Sequence, residues 1–237
     1  MRCPSIFFAV LAVLFAAAVA GAGEMVVIDS DAPGLMPGEI LDGSKPLEIA
    51  PGTAVTVVAG DGRVKSLKGP FSGVPFAGEE SAPGGSALIR SLSRLIGGKS
   101  PKTGELGMMR GERLVGRPDA WSIDIIRSGA HCVTDRSHAV LWRPSGVTAE
   151  TVTIRRQPWV EKVSVDWPAG TNSLVWPKDL PLENGGQYLV RLSSRIRGTK
   201  LVVYVVPANL PTDAHLAAWM ADLGCNEQAL ALVAEMQ

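Results

Sequence analysis

The residues between positions 131 and 138 are the densest group of side chains in this chain that could do chemistry. His131, Cys132, Asp135 and His138 lie close together, and imidazole, thiolate and carboxylate are the ligands that zinc accepts. However, adjacent His and Cys side chains point to opposite faces of a strand, and the spacing matches no standard zinc motif. We therefore expect no metal and no other cofactor, and interpret the segment as a disulfide cysteine followed by a surface turn.

Cys132 and His138 also fit the nucleophile and base of a thiol hydrolase. A catalytic cysteine needs a helix N-terminus or a basic neighbour to lower its pKa, and the strand-rich surroundings of Cys132 offer neither clearly. The sequence contains no G-x-S-x-G, H-E-x-x-H or phosphate-loop motif. We expect no catalytic residue and a non-enzymatic protein, with an exported thiol-dependent hydrolase around Cys132 as the alternative.

A second group of interest is basic, and consists of Arg191, Arg195, Arg197 and Lys200. The three arginines fall on alternate positions of one predicted strand and would share a face, opposite the apolar side chains Val190, Leu192 and Ile196. Lys200 follows across the turn at Gly198. Such a face suits an anionic partner, for example an envelope glycan, lipid head groups or an acidic protein surface. The alternative is a solvated charged face that protects a sheet edge.

The first 22 residues match a secretory signal peptide. Arg2 precedes an unbroken apolar stretch from Ile6 to Ala20, and small residues follow it, as an A-x-A cleavage site requires. A helix over this stretch would be about 22 Å long, shorter than the roughly 30 Å hydrocarbon core of a bilayer. We expect cleavage near Ala20 or Ala22 and a periplasmic or secreted protein without a transmembrane segment, with retention as an anchor as the alternative.

Export to an oxidising compartment predicts that the remaining cysteines form a disulfide. Cys132 and Cys225 remain after Cys3 leaves with the signal, and thiols outside the cytoplasm are oxidised in pairs. A disulfide between them would close a long loop, worth about 4 to 5 kcal/mol in the chain-entropy model; two separate buried thiols are the alternative.

The net charge of the exported chain is close to zero. The signal contains only Arg2 of the 23 basic residues, against 23 acidic ones in the chain. This near-neutral balance argues against a nucleic-acid partner.

Turn residues separate short apolar runs and predict a small β-domain over residues 23–73, a β-roll or barrel of four or five strands. Asp61-Gly62 between two such runs indicates a hairpin. The runs are Met25–Ile28, Leu47–Ile49, Thr53–Val58 and Val64–Leu67. With 26 Gly and 17 Pro, the chain favours many short strands over long helices.

The order of turns and runs over residues 38–63 resembles the β-domain of FecR-like periplasmic proteins. The residues that carry it are Gly38–Gly43, Leu47–Ile49, Pro51–Thr53, Val55–Val58 and Asp61–Arg63, which follow that family's "G-x-x-L…L…G…V…L…D-G" rhythm. The resemblance implies a further alternative function, an accessory sensor subunit. Such a subunit would need a membrane-spanning partner to pass a signal, because the sequence shows no second long apolar stretch.

The rest of the chain divides into three parts. Residues 74–118 are a predicted linker with a short helix over 86–96, either mobile or packed on one domain. Residues 119–207 predict an immunoglobulin-like β-sandwich, with most of the six tryptophans in its core. Its seven strands are predicted at 121–126, 139–142, 151–155, 162–167, 173–176, 188–194 and 201–206, the last one central because both of its faces are apolar.

Residues 208–237 predict a helical hairpin, with Thr212 and Asn226 as N-caps, Gly224 ending the first helix and Cys225 in the turn. A disulfide from Cys225 to Cys132 would fasten this hairpin to the sandwich. Together these features predict an exported, non-enzymatic structural or binding module of the cell envelope. It would act through protein–protein or envelope-polymer contacts, with an envelope protein or an anionic envelope polymer as its partner.

Overall fold

The computed structural model describes residues 23–78, 85–98 and 119–237. The predicted signal peptide and the linker segments 79–84 and 99–118 lie outside these residues. Within the described ranges, short strands form four sheets and helices form one layer. The prediction of a mainly β protein is therefore confirmed.

The N-terminal β-unit, residues 23–78, contains six strands where four or five were predicted. The order β2-β1-β4-β5 forms an antiparallel sheet, and β3 and β6 pair as a second, two-stranded sheet. Two of the three strands of only three residues, β2 and β6, were not predicted; unlike β3, which buries both of its apolar side chains, they bury none. The strands are β1 Glu24–Ser30, β2 Ile40–Asp42, β3 Leu47–Ile49, β4 Ala54–Ala59, β5 Val64–Lys68 and β6 Phe71–Gly73.

Strand β1 is buried on both faces, which explains its continuous apolar sequence. Its even-numbered residues, Val26 and Ile28, pack against helices. Met25 and Val27 lie on the opposite face, in a separate core with residues of β3. The first strand therefore fixes the position of the helical layer on this unit.

The predicted hairpin at Asp61-Gly62 is confirmed as the turn between β4 and β5. The Ala59 amide donates to the Arg63 carbonyl over 2.9 Å, and Gly62 has a φ of +86°, which a side chain disfavours. A Cβ on Gly62 would also lie 2.3 Å from the Thr212 hydroxyl oxygen. Glycine therefore serves both the turn and the close approach of the C-terminal helices.

The C-terminal β-unit, residues 119–207, contains two sheets that share one apolar core. The larger has the order β11-β10-β13-β14-β8 and the smaller the order β12-β9-β7. Neighbours are antiparallel except for the parallel pairs β14–β8 and β7–β9. The strands are β7 Ile123–Asp124, β8 Gly129–Val133, β9 Val140–Trp142, β10 Glu150–Arg156, β11 Lys162–Trp167, β12 Ser173–Val175, β13 Gly186–Leu192 and β14 Thr199–Val205.

The predicted strands of this unit are present with shifted ends, and β14 lies centrally as predicted. Strand β8, Gly-Ala-His-Cys-Val, was not predicted, because it lacks a regular alternation of polar and apolar residues. The omission matters because β8 contains Cys132. Trp142, Trp167 and Trp176 are buried as predicted, whereas Trp159 is partly exposed on the β10–β11 turn.

Three helices are described: α1 Ser86–Gly97, α2 Asp213–Asp222 and α3 Asn226–Glu235. The predicted C-terminal hairpin is confirmed, and the Thr212 hydroxyl caps α2 by accepting from the His215 amide. The prediction of Asn226 as an N-cap is wrong, because α3 already begins at that residue and follows Cys225. No helix in the described ranges is long and apolar enough to cross a membrane.

The helices form one core that connects the two β-units. Side chains of all three helices pack with Val26, Ile28 and Val58 of the N-terminal unit and with Cys132 of β8. Cys132 and Cys225 are joined by a disulfide, with their Cα atoms 6.0 Å apart, so the predicted pairing is present and separate thiols are not. This bond links the α2–α3 turn to the edge of the larger sheet.

Gln228 completes the attachment of α3 to β8. Its carbonyl oxygen accepts from the Cys132 amide over 2.8 Å, and its amide nitrogen donates to the Cys132 carbonyl, also over 2.8 Å. The same nitrogen donates to the Ala120 carbonyl over 2.7 Å. One buried side chain thus pairs both outward backbone groups of Cys132, as a neighbouring strand would, and occupies the place where another strand could pair with this residue.

We predict that Gln228→Ala lowers the free energy of unfolding by about 2 to 4 kcal/mol, because it leaves two buried backbone groups of Cys132 unpaired. Urea unfolding with the disulfide intact measures this change. Gln187→Ala is the matched control, since Gln187 is exposed on β13 and its loss should cost less than about 0.5 kcal/mol. Equal costs for the two substitutions would contradict a structural role for the Gln228 amide.

Candidate functional site

The predicted basic group does not lie on one strand. Strand β13 ends at Leu192, so only Arg191 is on it, while Arg195 and Arg197 lie in the β13–β14 loop and Lys200 is on β14. The expectation that Ile196 is buried opposite them is also wrong, because its side chain is 96% exposed. In the sequence, the alternation of basic and apolar residues continues past Leu192 into the loop, so it predicted a strand that was too long. The basic residues are consequently divided between a loop and a sheet face.

The group around Cys132 is divided as well. Cys132 packs into the helical core, while His131 is buried on the neighbouring position of β8. Asp135 and His138 lie in the following exposed turn and bond to each other, Oδ2 to Nδ1, over 2.6 Å. Within the described ranges, no three His, Cys, Asp or Glu side chains are placed to hold a metal ion.

The turn that follows β8 is built around Asp135. The Ser137 hydroxyl and amide and the His138 ring all donate to its carboxylate. These hydrogen bonds, with that of the Ser137 hydroxyl largest, hold the pKa of Asp135 well below its usual range. The Ser137 hydroxyl bonds to Oδ1 and also lies 3.3 Å from His138 Nδ1, the same ring nitrogen that bonds to Oδ2. A nucleophile–base relay places the hydroxyl and the carboxylate on opposite ring nitrogens, so the arrangement is that of a turn motif.

Three loops meet at one end of the C-terminal unit, and we call this the three-loop end. It consists of residues 144–149 after β9, 168–172 after β11, and 193–198 after β13. The Gly170 amide donates to the Gly146 carbonyl over 2.7 Å, and the Ser193 amide donates to the Thr151 carbonyl at the start of β10. Backbone hydrogen bonds thus fix the loops relative to the strands.

The buried side chain of Arg143 joins the first two loops. It is only 1% exposed, and its guanidinium donates to the carbonyls of Pro168 and Thr171 over 3.0 and 3.1 Å. It also stacks over the Trp167 ring, 4.6 Å from the centroid. A buried cation is tolerated only when it is paired and hydrogen-bonded. The two carbonyls supply most of the hydrogen-bond acceptors that the guanidinium needs.

Glu150 supplies the counter-charge and reaches the third loop. One carboxylate oxygen accepts from Arg143 over 3.3 Å, and the other accepts from the Ser194 hydroxyl and amide. A single buried ion pair therefore connects all three loops. The sequence alone gave no sign of this pair, because Arg143 follows the end of β9 and Glu150 begins β10, with no motif around either residue.

The outer surface of the three-loop end is apolar and basic. Ile196 and Val147 are 96% and 82% exposed, and Arg195 and Arg197 flank Ile196. The three loops contain no Asp or Glu, and their remaining residues are small, polar and uncharged, or proline. Exposed aliphatic side chains beside arginine on a rigid support are typical of a binding surface.

A groove of about 330 Å³ lies between α1 and the C-terminal helices. Its polar side chains bond to one another: the Ser91 hydroxyl donates to Asp222 over 2.7 Å, and Arg94 donates to the same carboxylate over 3.2 Å. These contacts hold α1 against α2, which is a structural role.

Comparison with known proteins leaves the resemblance of residues 38–63 to FecR-like domains as a prediction. No protein-family model, no curated protein and no solved structure matches this chain. What the protein binds is therefore inferred from its own exposed side chains and their support.

We predict that Arg143→Met lowers the free energy of unfolding by about 2 to 4 kcal/mol, because it removes the bonds to the Pro168 and Thr171 carbonyls and leaves the largely buried Glu150 carboxylate without its cation. Denaturant unfolding measures the loss, and hydrogen exchange should accelerate in all three loops. The double variant R143M/E150L should recover part of the stability, since it removes both charges. Arg191→Met, an exposed arginine on β13, is the control; a similar cost for it would remove the special role of Arg143.

We predict that Asp135 stabilises the fold only above acidic pH. Because its folded pKa is lowered, its contribution is present above the unfolded value of about 3.9 and is lost as the pH falls towards the folded value. The stability difference between the protein and Asp135→Asn should therefore be largest near neutral pH and shrink below about pH 4. Thermal unfolding of both proteins between pH 2 and pH 7 measures this, and a difference independent of pH would contradict the assignment.

Proposed function

We propose that this protein is an exported, non-enzymatic binding module of the cell envelope, and that an envelope protein binds its three-loop end. The observation that carries the proposal is the surface of Ile196, Val147, Arg195 and Arg197, which no carboxylate of these loops neutralises. Burial of the two aliphatic side chains favours a partner with an apolar patch. The two arginines favour a partner with acidic groups around that patch.

The support beneath the loops favours binding without large rearrangement. The Arg143–Glu150 pair and the backbone bonds fix the loops before a partner arrives, which lowers the entropy lost on association. A disulfide suits export to an oxidising compartment. Periplasmic localisation after cleavage near Ala20 or Ala22 is part of the proposal.

We further propose that β7–β14 form an immunoglobulin-like sandwich. The neighbours β11-β10-β13-β14 correspond in order to strands C′, C, F and G of such domains. The Tyr188 hydroxyl near the start of β13 accepts from the Glu183 amide, five residues upstream, over 2.8 Å, which is similar to a tyrosine corner. In this assignment the β9–β10 and β13–β14 loops are the B–C and F–G loops, which bind antigen in variable domains. The disulfide departs from that pattern, because it joins β8 to a helix.

The alternative of a thiol-dependent hydrolase is less well supported. Cys132 is bonded to Cys225, so it has no thiolate to act as a nucleophile. His138 lies in the exposed turn and bonds to Asp135, while Cys132 is buried in the helical core. The alternative of a FecR-like sensor subunit remains a prediction from residues 38–63.

The proposal is tested by photo-crosslinking in the intact cell envelope. A photoreactive amino acid at position 196 should give one discrete crosslinked product, because Ile196 is at the centre of the proposed surface. The substitutions R195E/R197E should remove that product without changing the thermal stability, since both arginines are exposed and outside the core.

The control places the photoreactive residue at Val160, an exposed apolar position on the β10–β11 turn, at the opposite end of β10 from the three loops. That position should give only background. The proposal fails if both positions give the same products, or if the charge reversals leave the product at position 196 unchanged.

A further inference from the structure

A row of cations crosses the outward face of the larger sheet in the C-terminal unit. In the strand register, Lys162 on β11 lies opposite Arg155 on β10. Arg155 lies opposite Leu189 on β13, and Leu189 lies opposite Lys200 on β14. Three of the four positions in this row are therefore basic, and we call it the basic row.

Arg191 extends the basic row on one side. It pairs with Thr153, one position further along the same face than Leu189, because alternate residues of a strand share a face. Arg155, Lys162, Arg191 and Lys200 are all exposed. Within the described ranges none of them forms an ion pair, and the strand positions that face the same way include one acidic residue, Asp166, which bonds to Thr151.

This arrangement works against stability. Like charges directly opposite each other on neighbouring strands are destabilising, and Arg155 and Lys162 form such a pair, the last one of the ladder before the β10–β11 turn. One lysine on the edge strand β11 would suffice to prevent edge-to-edge association. Edge protection therefore does not account for the cations on the inner strands β10, β13 and β14.

The spacing of the basic row fits an extended chain of anionic groups. Neighbouring strands lie about 4.8 Å apart, so the row spans roughly 14 Å across four strands. Hydroxyl groups of Thr153 and Ser164 lie beside the cations, bonded to each other over 3.2 Å, and Gln187 is exposed on the same face. Hydroxyls and amides are suitable partners for the hydroxyl groups of sugars.

We propose that the basic row binds an extended, carboxylate-bearing polysaccharide that lies across the strands. Arginine and lysine bind the carboxylates, and the neighbouring hydroxyl and amide groups bind sugar hydroxyls. The chain as a whole has no basic excess, which argues against a nucleic acid as the polyanion. This site lies on the sheet face and not in the three loops, although Arg191 is only two residues from the third loop, so it goes beyond the function proposed above.

Calorimetric titration of the full mature protein with polygalacturonate at low salt tests the proposal. We expect binding that weakens steeply with added salt, and at least about tenfold weaker binding by Arg155→Glu. The same substitution places a carboxylate opposite Lys162, so the melting temperature should rise by about 1 to 4 °C. A variant that is more stable but binds less well separates a binding role from a structural one.

Lys68→Glu is the matched control, because Lys68 is an exposed strand lysine of the other β-unit. The affinity of this variant for polygalacturonate should stay within about twofold of that of the unsubstituted protein. At about 0.15 M salt, where exposed charges more than about 8 Å apart are largely screened, the loop variant R195E/R197E should lose less affinity for polygalacturonate than Arg155→Glu. This comparison keeps failure of the basic row and failure of the three-loop end distinguishable. Fully methyl-esterified polygalacturonate and monomeric galacturonate should bind at least about a hundredfold more weakly than the acidic polymer.

Three results would overturn the proposal. One is unchanged affinity of Arg155→Glu for polygalacturonate. Another is equal binding of the methyl-esterified polymer, which would show that charge is not recognised. The third is preferential binding of polyglutamate of equal length, which would assign the basic row to an acidic protein partner instead.

Discussion

The structure depends on how the exposed edge of β8 is closed. A strand at the edge of a sheet presents unpaired amides and carbonyls, and a parallel pairing with β14 leaves one edge of β8 open. The C-terminal helices close it with a covalent bond from Cys225 and with the side-chain amide of Gln228. Because the other face of these helices packs on β1 and α1, closing this edge also joins the two β-units.

The second constraint is the buried charge of Arg143. Its cost is offset by the Glu150 carboxylate, by loop carbonyls and by the Trp167 ring. An apolar side chain could fill the same space with less desolvation, but it could not bond to the 168–172 loop and to Glu150, which holds the third loop. The ion pair is therefore best understood as a means of positioning loops, and the surface above it is where exposed apolar and basic side chains occur together.

The reactive side chains and the exposed cations of this protein differ in whether they already have bonding partners. The titratable groups with the clearest geometry, Asp135 and His138, satisfy each other in a surface turn, and the most reactive side chain of the sequence is held in a disulfide. In contrast, the exposed cations of β10, β11, β13 and β14 make no ion pairs within the described ranges. Unpaired surface charge is suited to recognition, since a partner need not break an existing ion pair.

The sequence by itself determined the mainly β content, the hairpin at Asp61-Gly62, the C-terminal helices and the cysteine pair. Each of these depends on local turn chemistry, on periodicity, or on the number of cysteines that can pair. Strand β8 and the end of β13 were decided only by tertiary structure, because packing against helices and the start of a loop leave no local pattern. The same holds for the basic row, which unites residues from different strands, and for the contacts of Arg143, which follows β9, with Glu150 and the 168–172 loop. Their neighbours are set by strand order and register, and no spacing along the chain encodes those directly.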